Sequence, residues 1–187
     1  NYIENNYVQG GFFYGLSSDF KFENSTFENN TARGTGEKVR GTVAYANNHS
    51  LTVENSEFKG NVGYANESLA GGTVYIESKS ADNVSLNISN SSFEGNKIVS
   101  EKDGAETMGG AIMAYNRGKD VSLTITDTVF NSNSADSKGG AIYLGGATMA
   151  LNATKNMQYL GNSANEGGFL FLDYSEDGSA AATATFN

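Results

Sequence analysis

The stretch that decides the fold is FKFENSTFENN, residues 20–30, because its pattern returns three more times along the chain. The related stretches are LTVENSEFKGN (51–61), LNISNSSFEGN (86–96) and LTITDTVFNSN (123–133). Self-similarity at about 30 residues is typical of repeat proteins, in which one unit is too short to bury its own apolar face. The sequence therefore predicts a stacked solenoid.

A second marker lies between these stretches, where a pair of small residues opens a short apolar strand. It occurs as GGFFY at Gly10, RGTVAY at Arg40, GGTVYI at Gly71, GGAIMA at Gly109, GGAIYL at Gly139 and GGFLFL at Gly167. Both markers alternate in the period of a half-buried strand. The face that we place inside consists of Val43, Tyr45, Val74, Ile76, Ile112, Ala114, Ile142, Leu144, Leu170 and Leu172.

Short strands that each have a counterpart one unit later predict an all-β parallel β-helix of about six coils, roughly 29 Å tall at about 4.8 Å per coil. We expect an internal stack of aromatic rings, formed by Phe27, Phe58, Phe93 and Phe130, with Tyr159 in a longer variant. Three residues later we expect an amide ladder of Asn30, Asn61, Asn96, Asn133 and Asn162. Residues 1–187 are expected to form a single β-helix domain, uncapped at both ends.

Composition excludes several classes of protein. The net charge of −9 and the presence of only three arginines leave no basic surface for nucleic acid. No apolar run approaches 18 residues, so we expect no membrane insertion by this segment. The absence of cysteine excludes disulfides and zinc sites of the cysteine type, and no cofactor is predicted.

The pairing of GGAI-type and FxxN-type motifs, seen as GGAIYL at Gly139 and FNSN at Phe130, resembles the repeats of chlamydial polymorphic outer-membrane proteins and related autotransporter passengers. The resemblance covers nearly the whole chain, with departures at Arg40-Gly41 and in LNATKNMQYLGN from Leu151. It implies a right-handed, single-stranded β-helix that is extracellular or on the cell surface, often an adhesin. The general rule for crossover connections favours the same hand.

Catalysis on a β-helix of the polysaccharide-lyase or glycosidase kind needs clustered carboxylates with Arg or Lys on adjacent coils. Glu23 and Glu54 occupy the same repeat position, which is typical of a solvated surface. The dense charged loop at residues 101–106 has no basic cluster to face it in the sequence. We therefore predict a non-enzymatic structural or adhesive protein without catalytic residues, and the alternative is a carbohydrate-binding or polysaccharide-degrading β-helix.

One stretch resembles the opening of a calcium-binding loop, with oxygen ligands at alternate positions from Asp173 through Ser175 to Asp177, followed by Gly178. The carboxylate expected eleven residues after Asp173 is replaced by Ala184, so the loop is incomplete. The alternative interpretation is a plain acidic turn.

The outward face of the Gly-Gly strands is a candidate binding stripe for sugar rings or a partner, interrupted at Ala44. Its members are Tyr14, Tyr75, Met113, Tyr143 and Phe171. The alternative is that these side chains lie beneath loops. Eight N-x-S/T sequons are candidates for N-glycosylation, although some fall where a ladder favours asparagine anyway. They are Asn24, Asn29, Asn48, Asn66, Asn83, Asn87, Asn90 and Asn152.

The two ends of the chain match complementary halves of the repeated stretch. NYIENN matches its second half, with Ile3 at the phenylalanine position and Asn6 at the ladder position, and ATFN matches its first half. This predicts head-to-tail assembly of copies into a filament. The residues expected at the junction are Tyr2, Ile3, Asn6, Thr185, Phe186 and Asn187. The alternative is an arbitrary cut through a longer passenger. A host or cell-surface receptor or glycan is the other expected partner.

Overall fold

The computed structural model describes residues 1–5, 7–16, 18–36, 38–81, 83–155 and 157–187. Regular structure in these ranges consists of short β-strands. In the part of the chain that the structure describes, no helix is long and apolar enough to cross a membrane.

The strands of the first half are β1 (Tyr2–Asn5), β2 (Val8–Gln9), β3 (Phe13–Gly15), β4 (Phe20–Glu23), β5 (Thr26–Glu28), β6 (Thr31–Gly34), β7 (Val39–Arg40), β8 (Ala44–Asn47), β9 (Leu51–Glu54), β10 (Glu57–Lys59), β11 (Val62–Ala65), β12 (Ala70–Gly71) and β13 (Val74–Ser78). The remaining strands are β14 (Val84–Ser89), β15 (Ser92–Glu94), β16 (Lys97–Ser100), β17 (Thr107–Met108), β18 (Ile112–Asn116), β19 (Val121–Thr126), β20 (Val129–Asn131), β21 (Ser134–Ala135), β22 (Ile142–Gly145), β23 (Thr148–Asn152), β24 (Leu170–Asp173) and β25 (Thr183–Phe186).

These strands form five sheets, and every strand pairs in parallel with its counterpart in the next turn of the chain. Sheet A contains β1, β6, β11, β16 and β21; sheet B contains β2, β7, β12 and β17; sheet C contains β3, β8, β13, β18, β22 and β24; sheet D contains β4, β9, β14, β19, β23 and β25; sheet E contains β5, β10, β15 and β20. This arrangement is the parallel β-helix predicted from the repeats. Sheets C and D each contain six strands.

The apolar core lies inside the coil. The inward residues of sheets C, D and E form one continuous cluster, which includes Val74, Leu86 and Phe93. A smaller cluster lies between sheets A and B and is built from small residues such as Ala32 and Ala65. Because the apolar side chains of one turn are covered by those of the turns above and below it, burial is complete only when neighbouring turns stack.

The predicted aromatic ladder is confirmed for its four phenylalanines. The ring centroids of Phe27 and Phe58 lie 4.9 Å apart, those of Phe58 and Phe93 4.5 Å, and those of Phe93 and Phe130 5.1 Å, and all three pairs are stacked. Tyr159 contacts Phe130 only in a tilted arrangement at 6.3 Å. The stacked ladder therefore ends at Phe130.

The predicted asparagine ladder is also present. The Nδ2 group of Asn61 donates to the Oδ1 atom of Asn96 at 2.8 Å and to the carbonyl oxygen of Phe27 at 2.9 Å. The same pattern links Asn30 to Asn61, Asn96 to Asn133, and Asn133 to Asn162. Successive ladder residues are 31, 35, 37 and 29 positions apart, so turns of different length meet at one fixed corner.

The register of β8 differs from the prediction by one residue. Gly41, not Arg40, has the left-handed backbone (φ 73°) that Gly109 has at the start of its own turn (φ 61°). Ala44 therefore pairs with Val74, and Tyr45 pairs with Tyr75. A shift of one residue moves every side chain to the opposite face of a strand. Tyr45 consequently lies on the outer face, and the expectation that Ala44 interrupts the outer row was wrong.

The register predicted for the first residues was also wrong. Ile3 pairs with Ala32 in sheet A, and Thr31 donates its backbone N–H to the carbonyl oxygen of Asn1 at 2.8 Å. Asn1 thus lies level with Asn30, and Asn6, which was expected at the ladder position, lies outside the described residues. Phe186 pairs with Leu151 in sheet D, as the first half of the repeat requires. Because Asn1 lies level with Asn30 and Phe186 with Leu151, the two ends do not match adjoining halves of one stretch, and head-to-tail assembly stays a prediction.

Candidate functional site

The outer face of sheet C carries a row of mostly aromatic side chains, which we call the tyrosine row. It consists of Tyr14, Tyr45, Tyr75, Met113, Tyr143 and Phe171. Tyr75, Met113 and Tyr143 are at most 2% exposed, because they pack with Met108 of sheet B into a cluster outside the main core. The prediction of an exposed stripe was therefore wrong in the middle of the row, where the alternative of packed side chains holds.

Glu77 lies at the centre of this outer cluster, two residues after Tyr75 on β13. Its side chain is only 4% exposed. The hydroxyl of Tyr45 donates to Oε1 at 2.5 Å, and the hydroxyl of Tyr75 donates to Oε2 at 2.9 Å. A buried carboxylate is stable only when such donors and cations surround it.

Two arginines complete the surroundings of Glu77. Arg40 on β7 approaches Oε1 at 3.4 Å, and Arg117, which follows β18, approaches both oxygens at 3.5 Å. Arg117 also makes a two-pronged ion pair with Glu176, with two N–O distances of 2.8 Å. The planar guanidinium of Arg117 therefore joins a buried and an exposed carboxylate on different turns.

The ionisation of these groups follows from their surroundings. Burial, and then the negative charge of Glu77, raise the pKa of both Tyr45 and Tyr75, so their hydroxyls stay protonated donors. The hydrogen bonds from Arg117 lower the pKa of Glu176. Burial alone would lower the pKa of Arg40, but its electrostatic interactions with Tyr75 and with the Glu77 carboxylate outweigh it and the net shift is upward. The cluster is thus a fixed ion-pair network.

The calcium-like stretch forms a hydrogen-bonded turn. The Oδ1 atom of Asp177 accepts bonds from the hydroxyls of Ser175 (2.7 Å) and Ser179 (2.6 Å), and these bonds lower the pKa of Asp177 to about 2. Asp173 instead accepts a bond from the Tyr143 hydroxyl at 3.0 Å. Among the residues that the structure describes, no three acidic, histidine or cysteine side chains are arranged to hold a metal. The geometry therefore matches the acidic-turn interpretation.

The eight sequons fall into two groups. Five of the asparagines have exposed side chains: Asn24, Asn29, Asn83, Asn87 and Asn90. Asn66 is half-buried and donates to the carbonyl oxygens of Gly34 (3.0 Å) and Thr35 (3.1 Å), and Asn48 accepts bonds from the backbone of the loop after β13. Asn152 is half-buried and accepts a bond from Asn187. Whether any sequon carries a glycan stays a prediction.

The charged loop at residues 101–106 lines an open cleft of about 500 Å³ together with Asp136, Ser137 and Asn165. Lys138 reaches Glu106 at 3.4 Å, and Arg33 pairs with Glu101 at 2.9 Å. The loop thus has isolated cationic partners from neighbouring strands. Neither partner belongs to the network around Glu77.

Sequence reasoning missed the Glu77 network. Its residues come from separate turns, and Glu77 and Arg117, unlike Tyr45 and Tyr75, lie outside the recurring motifs. Two weak signals point to it: Arg40 and Arg117 are two of only three arginines, and both adjoin the strands of the Gly-Gly marker. A third signal is that Tyr45 lies on the same face as Glu77. The sequence alone did not reveal it, because the predicted register placed Tyr45 on the inner face.

Comparison with known proteins supports the resemblance of the repeats. The model of the Chlamydia polymorphic membrane protein repeat matches residues 127–147, which contain both FNSN and GGAIYL. Searches of the curated proteins and of the solved structures found no match. The chain therefore carries at least one repeat of this kind within a β-helix, and the match covers a small part of its length.

Proposed function

We propose that this chain is a non-enzymatic β-helix displayed on a cell surface or outside the cell, where its role is adhesive or structural. The observation that carries the proposal is the match of residues 127–147 to a repeat of polymorphic membrane proteins, set in a column of parallel turns. A solenoid offers long surfaces whose loops vary while the core stays constant. Such surfaces suit contact with other molecules.

The surroundings of Glu77 support a role without catalysis. A catalytic carboxylate must reach a substrate, but both oxygens of Glu77 already accept bonds from tyrosines, and the side chain is 4% exposed. Polysaccharide degradation, the alternative, would need an accessible acid and base in a groove. Glu77 is buried and cannot supply that pair, and the cleft carboxylates Glu101 and Glu106 are each paired with a separate cation, Arg33 and Lys138.

The location is tested by labelling intact and permeabilised producing cells with an antibody against the folded chain. Equal labelling of both is expected for a surface protein, and labelling only after permeabilisation would contradict the proposal. The adhesive role is tested with beads coated with the purified chain and applied to cultured cells. Beads coated with the unfolded chain are the control, and equal attachment of both would overturn the adhesive role.

End-to-end assembly is the finer form of the structural role. The outermost strands of the sheets, such as β3 and β24 in sheet C, pair on one side only, and unpaired parallel edges can template further strands. Electron microscopy of concentrated protein should then show filaments with an axial repeat near 29 Å, from six strands at about 4.8 Å. Monomers alone at high concentration would contradict assembly.

A further inference from the structure

We infer that Tyr7, Gln9, Lys38 and Arg40 form a binding site for a carboxylate-bearing sugar, such as a uronic acid unit. Val8 pairs with Val39, and both valines are buried in the small inner cluster. The residues on either side of each valine consequently lie on the outer face of sheet B. They form a rectangle of four side chains, about 4.8 Å between strands and roughly 6.6 Å along them.

The charge of this patch opposes that of the whole chain. The chain as a whole has a net charge of −9, but Lys38 and Arg40 lie side by side in this patch. Arg117 is close enough to interact electrostatically with Lys38. Burial first, and then the positive charges of Arg40 and Arg117, lower the pKa of Lys38. Among the described residues, Lys38 has no ion-pair partner. Its amine is therefore available to an anion.

Arg40 contributes a fixed positive charge. One of its terminal nitrogens bonds to Tyr45 and Glu77 at 3.3 and 3.4 Å. An arginine fixed in this way is pre-oriented, since its partners hold the guanidinium plane before a ligand arrives. Lys38 and Arg40 together supply the charge-assisted hydrogen bonds that a carboxylate prefers.

Tyr7 and Gln9 favour a sugar over a simple anion. The guanidinium of Arg40 lies 5.5 Å from the centre of the half-buried Tyr7 ring, and Gln9 Nε2 donates to the Tyr7 hydroxyl at 3.2 Å. This leaves the Gln9 carbonyl oxygen and the Tyr7 hydroxyl proton for sugar hydroxyls. The edge of an aromatic ring beside a planar amide and a cation provides apolar contact, hydrogen bonds and charge for one acidic pyranose.

The inference rests on the adhesive role proposed above, and it supplies a ligand class for that role. The test is titration calorimetry of the purified chain with trigalacturonic acid, beside neutral maltotriose and triglutamate. We expect trigalacturonic acid to bind at least tenfold more tightly than either. Lys38→Gln should weaken binding about tenfold, the size of one lost charge-assisted bond. Tyr7→Ala should weaken it severalfold.

Lys97→Gln is the matched control, because it makes the same charge change on the exposed outer face of sheet A. It should change affinity less than twofold. Absence of trigalacturonate binding, equal binding of triglutamate, or an equal loss with Lys97→Gln would each overturn the site. If the bead assay shows adhesion without trigalacturonate binding, only this inference fails; if adhesion itself is absent, the proposed adhesive role fails.

Discussion

Each asparagine of the internal ladder uses its side chain in several directions at once. The Nδ2 group of Asn96 donates to the Phe58 carbonyl at 2.9 Å and to the Oδ1 atom of Asn133 at 3.0 Å. Its Oδ1 atom accepts from the backbone and side-chain nitrogens of Asn61. One buried amide therefore joins three turns.

We expect Asn96→Ala to lower the stability of the fold by about 3 kcal/mol, since each buried group left without a partner costs about 1–3 kcal/mol. Urea unfolding followed by circular dichroism measures the change. Asn87→Ala is the control, because the exposed Asn87 has one side-chain hydrogen bond among the described residues, to Ser85, and its effect should stay within about 0.5 kcal/mol. Similar losses in both variants would contradict a structural role for the ladder.

The asparagines of the sequons also differ in whether their side chains are exposed or hydrogen-bonded to the backbone. If the chain is produced through a eukaryotic secretory route, we expect a glycan on the exposed Asn87 and none on Asn66. Asn66 uses its Nδ2 group in two backbone hydrogen bonds, and a sugar on that nitrogen would remove at least one. Site-resolved mass spectrometry of the folded, secreted protein gives the occupancy. Full occupancy at Asn66 in correctly folded protein would show that those bonds are dispensable.

Among the elements, the short strands of sheet E depend on their single inward phenylalanine. Phe93 is fully buried and stacks between Phe58 and Phe130. Phe93→Ala should cost about 3–5 kcal/mol, since it leaves a cavity between two rings. Thermal unfolding measures the loss, with Tyr174→Ala as the control at a position that is 61% exposed. A loss below 1 kcal/mol for Phe93→Ala would mean that the neighbouring turns close the gap.

The strands show how far sequence reasoning reaches. Phe58 and Asn61 recur at fixed spacing inside an element, so their ladders follow from the repeat alone. Tyr45 was misplaced because the turn before β8 differs in length from the turn before β13, and alternation carries no information about such an offset. Glu77, Arg40 and Arg117 come from three turns, and only the stacking brings them together.

At the scale of the whole molecule, the buried tyrosines set an alkaline limit to stability. Burial, followed by nearby carboxylates, raises the pKa of Tyr45, Tyr75 and Tyr143 above that of an unfolded tyrosine, which is about 10. Their contribution is fully present below pH 10 and is lost as the pH rises further, because the unfolded chain releases these protons more readily.

We therefore expect tyrosinate absorbance to show three of the ten tyrosines ionising only when the circular dichroism signal of the β-structure is lost. Tyr143→Phe should flatten the decline of stability above pH 10, whereas Tyr174→Phe, at an exposed position, should not. The expectation fails if all ten tyrosines ionise near pH 10 while the β-structure persists.

The unequal spacing of the ladder asparagines indicates where the chain can gain or lose residues without loss of the fold. Turns of 29 to 37 residues meet at the same amide bonds, so added or deleted residues are absorbed by outer connections such as that at residues 101–106. Foreign peptides inserted there would be carried on a rigid column without disturbing its interior.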